Sequence, residues 1–177
     1  MDKKNYKETL GNIEAFVFDV DGVMTDGSVT IFPTGEFVRT MNVKDGYAMQ
    51  LAVKRGFKIF VITGARDQSV RIRLNRLGIK DVVLDVHQKM EKLEEFRDIY
   101  GIPFENMVYM GDDVPDIEPM MAVGLPCCPS DACTDVLGVS SYVSPYPGGR
   151  GCVRDIVEQV LKVQGKWHEE DFGNYKA

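Results

Sequence analysis

The chain has 177 residues, a length that predicts one domain with a core large enough to fold without staples. Hydrophobic residues make up 44% and charged residues 27%, the balance of a water-soluble globular protein. With 21 basic against 27 acidic residues, the net charge of −6 argues against nucleic acid or an anionic membrane as the main partner, although a bound cation can invert that sign locally.

Ala15–Val20 reads as a buried strand that ends in acid. Ser28–Phe32 and Glu36–Met41 flank Pro33-Thr34-Gly35 and predict a β-hairpin. Asp45–Arg55 reads as a helix stopped by Gly56, and Phe57–Ile62 as a second buried strand. Asp67–Leu77 places Val70, Leu74 and Leu77 on one helical face, with Arg71, Arg73 and Arg76 as its charged surface. Asp81–Leu84 is a short strand, Lys89–Tyr100 a helix closed by Gly101, and Met107–Met110 a strand. Val114–Ala122 predicts a short helix, Leu125–Cys127 and Tyr142–Val143 two further strands, and Cys152–Val163 the last helix. A polar tail follows from about residue 165, where Trp167, His168 and Phe172 form either a loose end or a docking element. No apolar run reaches the ~18 residues of a membrane span, and no apolar stretch follows the lysines near the N-terminus, so neither a span nor a secretory signal is expected. Cys127, Cys128, Cys133 and Cys152 lack C-x-x-C spacing and histidine partners, as expected of reduced thiols in a cytoplasmic protein.

Strand–helix alternation with short connections predicts a parallel sheet covered on both faces, with the ligand site at the carboxyl ends of its strands. The residues after those strands therefore belong together. They are Asp19-Val20-Asp21-Gly22, Thr63-Gly64, the loop reaching Lys89, and Gly111-Asp112-Asp113 with Asp116. Crowded carboxylates need a hard cation, and Mg2+ takes one or two carboxylates together with water and phosphate oxygens. A carboxylate can act as nucleophile, while lysine and threonine hold the remaining phosphoryl oxygens. Asp-x-Asp puts both acids on one side of an extended chain, so one can attack while the other exchanges protons. The set suits phosphoryl transfer.

These four segments, in this order, resemble the motifs of the haloacid dehalogenase superfamily of phosphohydrolases over roughly residues 13–165. The resemblance implies a three-layer, Rossmann-like α/β fold. It makes Asp19 the nucleophile and Asp21 the general acid/base, whose backbone carbonyl also reaches Mg2+. Thr63 and Lys89 would bind the phosphoryl group, and Asp112 would complete the metal ligands with support from Asp113 and Asp116. Only 41 residues separate Asp21 from Thr63 and 25 separate Thr63 from Lys89, which leaves room for a hairpin flap (about 28–41) but not for a cap domain.

Asp21-Gly22-Val23-Met24-Thr25-Asp26-Gly27, Gly35-Glu36, Asn42-Val43-Lys44-Asp45-Gly46, Gly148-Gly149-Arg150-Gly151 and Gln164-Gly165-Lys166 are similar to the cap-less branch typified by 3-deoxy-D-manno-octulosonate 8-phosphate phosphatases. That resemblance implies a cytoplasmic homotetramer whose subunits close one another's sites, and a step in making the lipopolysaccharide sugar. Asn42, Val43, Lys44, Asp45 and Gly46 would line the sugar site, Arg73 would match a substrate-binding arginine, and Gly22, Gly64, Ala65, Arg66 and Lys89 would border the substrate. Two departures stand out. The branch usually carries arginine where this chain has Ala65, and often a basic residue where it has Gln50. Arg66, Arg73 and Arg76 are candidates to compensate; otherwise a nine-carbon keto-deoxy sugar acid 9-phosphate is an alternative substrate. A non-catalytic oligomerisation module is disfavoured by the complete acidic set, and a signalling receiver by the order of its motifs.

Overall fold

The computed structural model describes residues 5–167. After a first turn of helix, α1 (Tyr6–Thr9), the chain enters β1 (Ala15–Phe18) and a two-stranded hairpin, β2 (Thr30–Ile31) and β3 (Phe37–Val38). Then follow α2 (Val43–Lys54), β4 (Lys58–Ile62), α3 (Gln68–Arg76), β5 (Asp81–Val83), α4 (Lys89–Tyr100) and β6 (Met107–Met110). The remaining elements are α5 (Ile117–Ala122), β7 (Leu125–Cys128), α6 (Thr134–Val139), β8 (Tyr142–Val143) and α7 (Cys152–Val163). Six strands form one parallel sheet in the order β5-β4-β1-β6-β7-β8, and the hairpin stands apart from it.

Every residue of β1 is buried, because both faces of its sheet are covered. Phe16 and Phe18 project into the layer formed with α2, α3 and α7, while Ala15 and Val17 project into the layer formed with α4, α5 and α6. Ile59 and Val61 of β4 join the first layer, Phe60 and Ile62 the second. This is the three-layer α/β fold that the alternation predicts, and among the described residues only the hairpin occupies the place of a cap.

β1 leads through the hairpin and α2 to β4 on one side, whereas β5 and α4 lead to β6 on the other. The strand order thus reverses at β1 and β6, and a crevice opens beyond their carboxyl ends.

The elements depart from sequence expectation in several places. β1 stops at Phe18 rather than Val20, since Asp19 turns out of the sheet toward the crevice. The hairpin strands have two residues each, and all four are exposed. α2 starts two residues early because the Asn42 side chain accepts the Lys44 amide and caps it. Val114–Asp116 forms a 3-10 turn containing Pro115 before α5 begins.

Candidate active site

Asp19 is fixed at the crevice by its amide, which donates to the Met110 carbonyl at 3.2 Å. Its Oδ1 accepts the Val20 amide at 2.7 Å, and its Oδ2 lies 2.9 Å from Lys89 Nζ. Lys89, the first residue of α4, is only 6% exposed and also donates to Asp116 Oδ1 at 2.7 Å. Tyr109 of β6 donates its hydroxyl to the same oxygen at 2.9 Å, and the Asp112 amide donates to Asp116 Oδ2 at 3.3 Å. Thr63 follows β4 and is buried, its Oγ1 accepting the Ala65 amide at 3.1 Å. The Val86 amide donates to the Thr63 carbonyl and holds the loop that leads to Lys89. Asp19, Asp21, Gly22, Thr63, Gly64, Ala65, Lys89, Asp112, Asp113 and Asp116 all border one cleft of about 450 Å³.

One lysine faces three carboxylates there. Burial, with the neighbouring Asp116 charge, pushes the Asp19 pKa up to about 6 despite Lys89. Burial, with Asp19 and Asp116, pushes Asp112 up to about 7. Burial would lower Lys89, but Asp19 and Asp116 together hold it above the ordinary lysine value. Burial and Asp116 raise the Tyr109 hydroxyl well above its usual range, so it remains a donor.

Asp19, Asp112 and Asp116 each offer an oxygen within 4.8 Å of the others, a hard donor set that fits Mg2+. Asp116 already accepts from Lys89, Tyr109 and Asp112, so its role is to hold them. The Asp112 carboxylate is tucked under Gly22, where an added Cβ would come within 1.9 Å of Oδ2, and Gly22 has φ +80°. Asp19 and Asp112 are thus the carboxylates with oxygens left to offer a divalent ion.

Other residues singled out by sequence lie at the rim of the cleft or away from it. Asp113 is exposed and spends Oδ1 on the Val114 amide, capping the 3-10 turn. Arg66 is exposed and paired with Asp85 at 2.8 Å. Val43 is 75% exposed, and Asn42 and Lys44 border a separate cavity alongside α7. Gly46 is buried, and a Cβ on it would come within 2.7 Å of Arg73 Nη2, so its bareness admits that arginine. Arg73 borders a third cavity with Met41 and Ser69. His87 borders the cleft and is exposed. Trp167 is nearly buried beneath the Arg154 guanidinium, while His168 and Phe172 lie outside the described residues.

Asp45 has a structural task that its spacing did not reveal. It is 2% exposed, and Oδ1 accepts the Arg154 amide at 2.8 Å in the first turn of α7, whose own N-cap is Gly151. Its Oδ2 is buried without a partner, and burial raises its pKa. A raised carboxyl favours folding below the unfolded pKa and loses that contribution as pH rises through the folded one. Asp45→Asn, which keeps the cap without the charge, is therefore expected to match or exceed wild-type stability at pH 7, with the difference vanishing as pH falls. Asp45→Ala should lose about 1–2 kcal/mol. Urea denaturation across pH checks both; a strongly destabilised asparagine variant would show that the charge itself is needed.

Gly148 and Gly149 brace the first loop from behind. A Cβ on Gly148 would lie 2.0 Å from the Gly22 carbonyl oxygen, one on Gly149 2.7 Å from the Asp26 amide, and the Gly149 amide donates to the Val23 carbonyl at 2.9 Å. Only glycine permits so close a backbone approach. Arg39 and Tyr109 escaped the sequence reading altogether; Arg39, from the base of the hairpin, pairs with Asp21. Tyr109 had a signal, a polar group within a fully buried strand that calls for a hydrogen-bond partner.

No family model matches the chain. The chain is 34% identical over 158 residues to the 3-deoxy-D-manno-octulosonate 8-phosphate phosphatase of Escherichia coli (strain K12), covering 89% of this chain and 84% of that protein. It belongs to the 3-deoxy-D-manno-octulosonate 8-phosphate phosphatase family. The crystal structure of the Yersinia pestis family member superposes with a TM-score of 0.90 at 32% identity, over 93% of this chain and 89% of that one. The Moraxella catarrhalis family member, solved with magnesium, phosphate and 3-deoxy-D-manno-octulosonate, gives 0.88 at 28% identity over 91% and 92%. A Legionella pneumophila structure described as a haloacid dehalogenase superfamily hydrolase superposes with a TM-score of 0.89 at 30% identity, over 91% of this chain and 88% of that one.

Proposed function

We propose that this chain is a Mg2+-dependent phosphatase that hydrolyses 3-deoxy-D-manno-octulosonate 8-phosphate to the free sugar acid and phosphate. The observation that carries this reading is the buried set of Asp19, Lys89, Asp112 and Asp116 at the β1/β6 crevice, in a chain with family members of that activity. An Asp19 carboxylate oxygen forms a bond to phosphorus as the phosphorus–sugar oxygen bond breaks, and Asp21 gives its proton to the leaving oxygen. Asp21 then takes a proton from water, whose oxygen attacks phosphorus and releases phosphate from Asp19. Lys89 and Thr63 hold the non-bridging oxygens as charge shifts among them. Mg2+, held by Asp19, Asp112 and the Asp21 carbonyl, would supply neutralisation of phosphate charge.

Ala65 borders the cleft without a charge, and Arg66 beside it is exposed and paired with Asp85. This favours a second reading, in which the substrate is a nine-carbon keto-deoxy sugar acid 9-phosphate. The experiment is phosphate release from both acids, compared by kcat/KM, with and without a chelator. Preference for the eight-carbon ester and restoration of turnover by Mg2+ are expected. Preference for the nine-carbon ester selects the second reading, and equal turnover of unrelated phosphates defeats both.

The reading extends to a cytoplasmic homotetramer in which neighbours cover the sites. Ile31, Phe32, Phe37 and Val38 of the flap are 44–67% exposed, more apolar surface than a lone hairpin ordinarily shows to water. Light scattering of the pure protein tests this, and a monomeric mass would refute it.

A further inference from the structure

The flap and the chemistry meet at one side chain. Arg39 follows β3 directly, and only 9% of its side chain is exposed. Its Nε and Nη2 donate to the two oxygens of Asp21 at 2.7 and 3.0 Å, and its Nη1 donates to Asp67 Oδ2 at 2.5 Å. The Asp21 side chain is 35% exposed and is otherwise steadied by a long 3.4 Å bond from Thr25 Oγ1. A guanidinium matched to a carboxylate through two bonds fixes its plane as well as its position, which an ammonium cannot do.

Asp67 carries the second observation. It occupies the N-cap of α3, where an aspartate ordinarily accepts an amide of its own helix, yet it makes no capping hydrogen bond. Its carboxylate goes to Arg39 instead. The helix forgoes its cap, and the guanidinium is anchored at both ends.

We infer that Arg39 is a positioning residue that holds the Asp21 carboxylate where it exchanges protons and ties that place to the base of the flap and the start of α3. The inference rests on the reading of Asp21 as general acid/base. Arg39 also borders the 260 Å³ cavity that contains Arg73, a place from which it could instead grip a substrate carboxylate. The bonds to Asp21 and Asp67 favour positioning, and the two roles differ in their kinetics.

The test measures kcat and KM for a carboxylated ester, the eight-carbon sugar acid phosphate, and for an aryl phosphate that carries no carboxylate. Arg39→Met is expected to lower kcat about 10–100-fold for both esters, a part of what an acid/base group itself supplies, with KM little changed. Arg39→Lys, which keeps the charge and loses the fork, should fall between it and wild type. In an Asp21→Asn background, Arg39→Met should lower kcat by less than about twofold, because the group it positions is gone. Asp67→Asn leaves the guanidinium in place and weakens its anchor; a several-fold kcat loss on both esters is expected, and this carries the test if Arg39→Met does not fold. A KM increase confined to the carboxylated ester, an unchanged kcat, or an undiminished loss in the Asp21→Asn background each overturns the inference. A wild-type protein that hydrolyses neither ester overturns the phosphatase reading, and this inference with it.

Discussion

Asp19→Asn is expected to lower phosphate release by at least about 10⁴-fold while leaving the protein folded and no less stable at pH 7. The two halves of this result come from opposite faces of the same carboxylate. Asparagine keeps the oxygen that accepts the Val20 amide at 2.7 Å but cannot form an acyl phosphate. The stability half follows from the shifted titration. Burial and Asp116 raise the Asp19 pKa to about 6, so the folded protein holds this proton more tightly than the unfolded chain. Ionised Asp19 therefore favours folding less as pH rises from the ordinary aspartate value through about 6, and asparagine removes that loss. Turnover and metal-free thermal melts at pH 5 and 7 check both halves. Near-normal turnover would end the proposed mechanism.

Lys89→Met should do the reverse, removing stability together with activity. Lys89 is buried between Asp19 and Asp116, so methionine leaves two carboxylates with no cation beside them. Breaking a buried pair from one side costs about 3–5 kcal/mol at neutral pH. The loss should shrink as pH falls, because the stranded carboxylates can then take protons. The raised Lys89 pKa keeps the wild-type ammonium charged at every pH below the ordinary lysine value, so the lysine itself adds no slope in that range. Loss of a positive group that stabilises phosphoryl charge should lower kcat by about 10²–10³-fold. Urea denaturation with a chelator at pH 7 and pH 5 reads the first effect. A loss under about 1 kcal/mol at pH 7 would mean that Lys89 does not balance the cluster.

The strands were legible because both faces of the sheet are covered. A strand buried on two sides reads as an unbroken apolar run, as Ala15–Phe18, Lys58–Ile62 and Met107–Met110 do after their first residues. Once the strands were placed, the residues that follow them fell at one end of the sheet by topology alone, which brings Asp19, Thr63, Lys89 and Asp112 to a common cleft. What stayed hidden depends on contacts distant in sequence. Arg39 lies 18 residues beyond Asp21 and 28 before Asp67, in a stretch whose only local signal is a hairpin. Asp45 looks like any acid in a first helical turn until α7, 109 residues later, is seated on it. α6 was missed for a local reason: its six residues, Thr134–Val139, include two valines, a threonine and Gly138, and only Val136 is buried.

The close approach of Gly148 to Gly22 orders events in time as well as in space. A ribosome delivers Asp19 about 130 residues before the glycine turn that its loop leans on, and that turn leads directly into α7. At about 5–20 residues per second, the nascent chain carries Asp19 for roughly 6–26 s without the surface that shapes the loop around it. On the proposed mechanism, hydrolysis is expected to begin only after the Gly148–Gly149 turn has emerged and packed against the first loop.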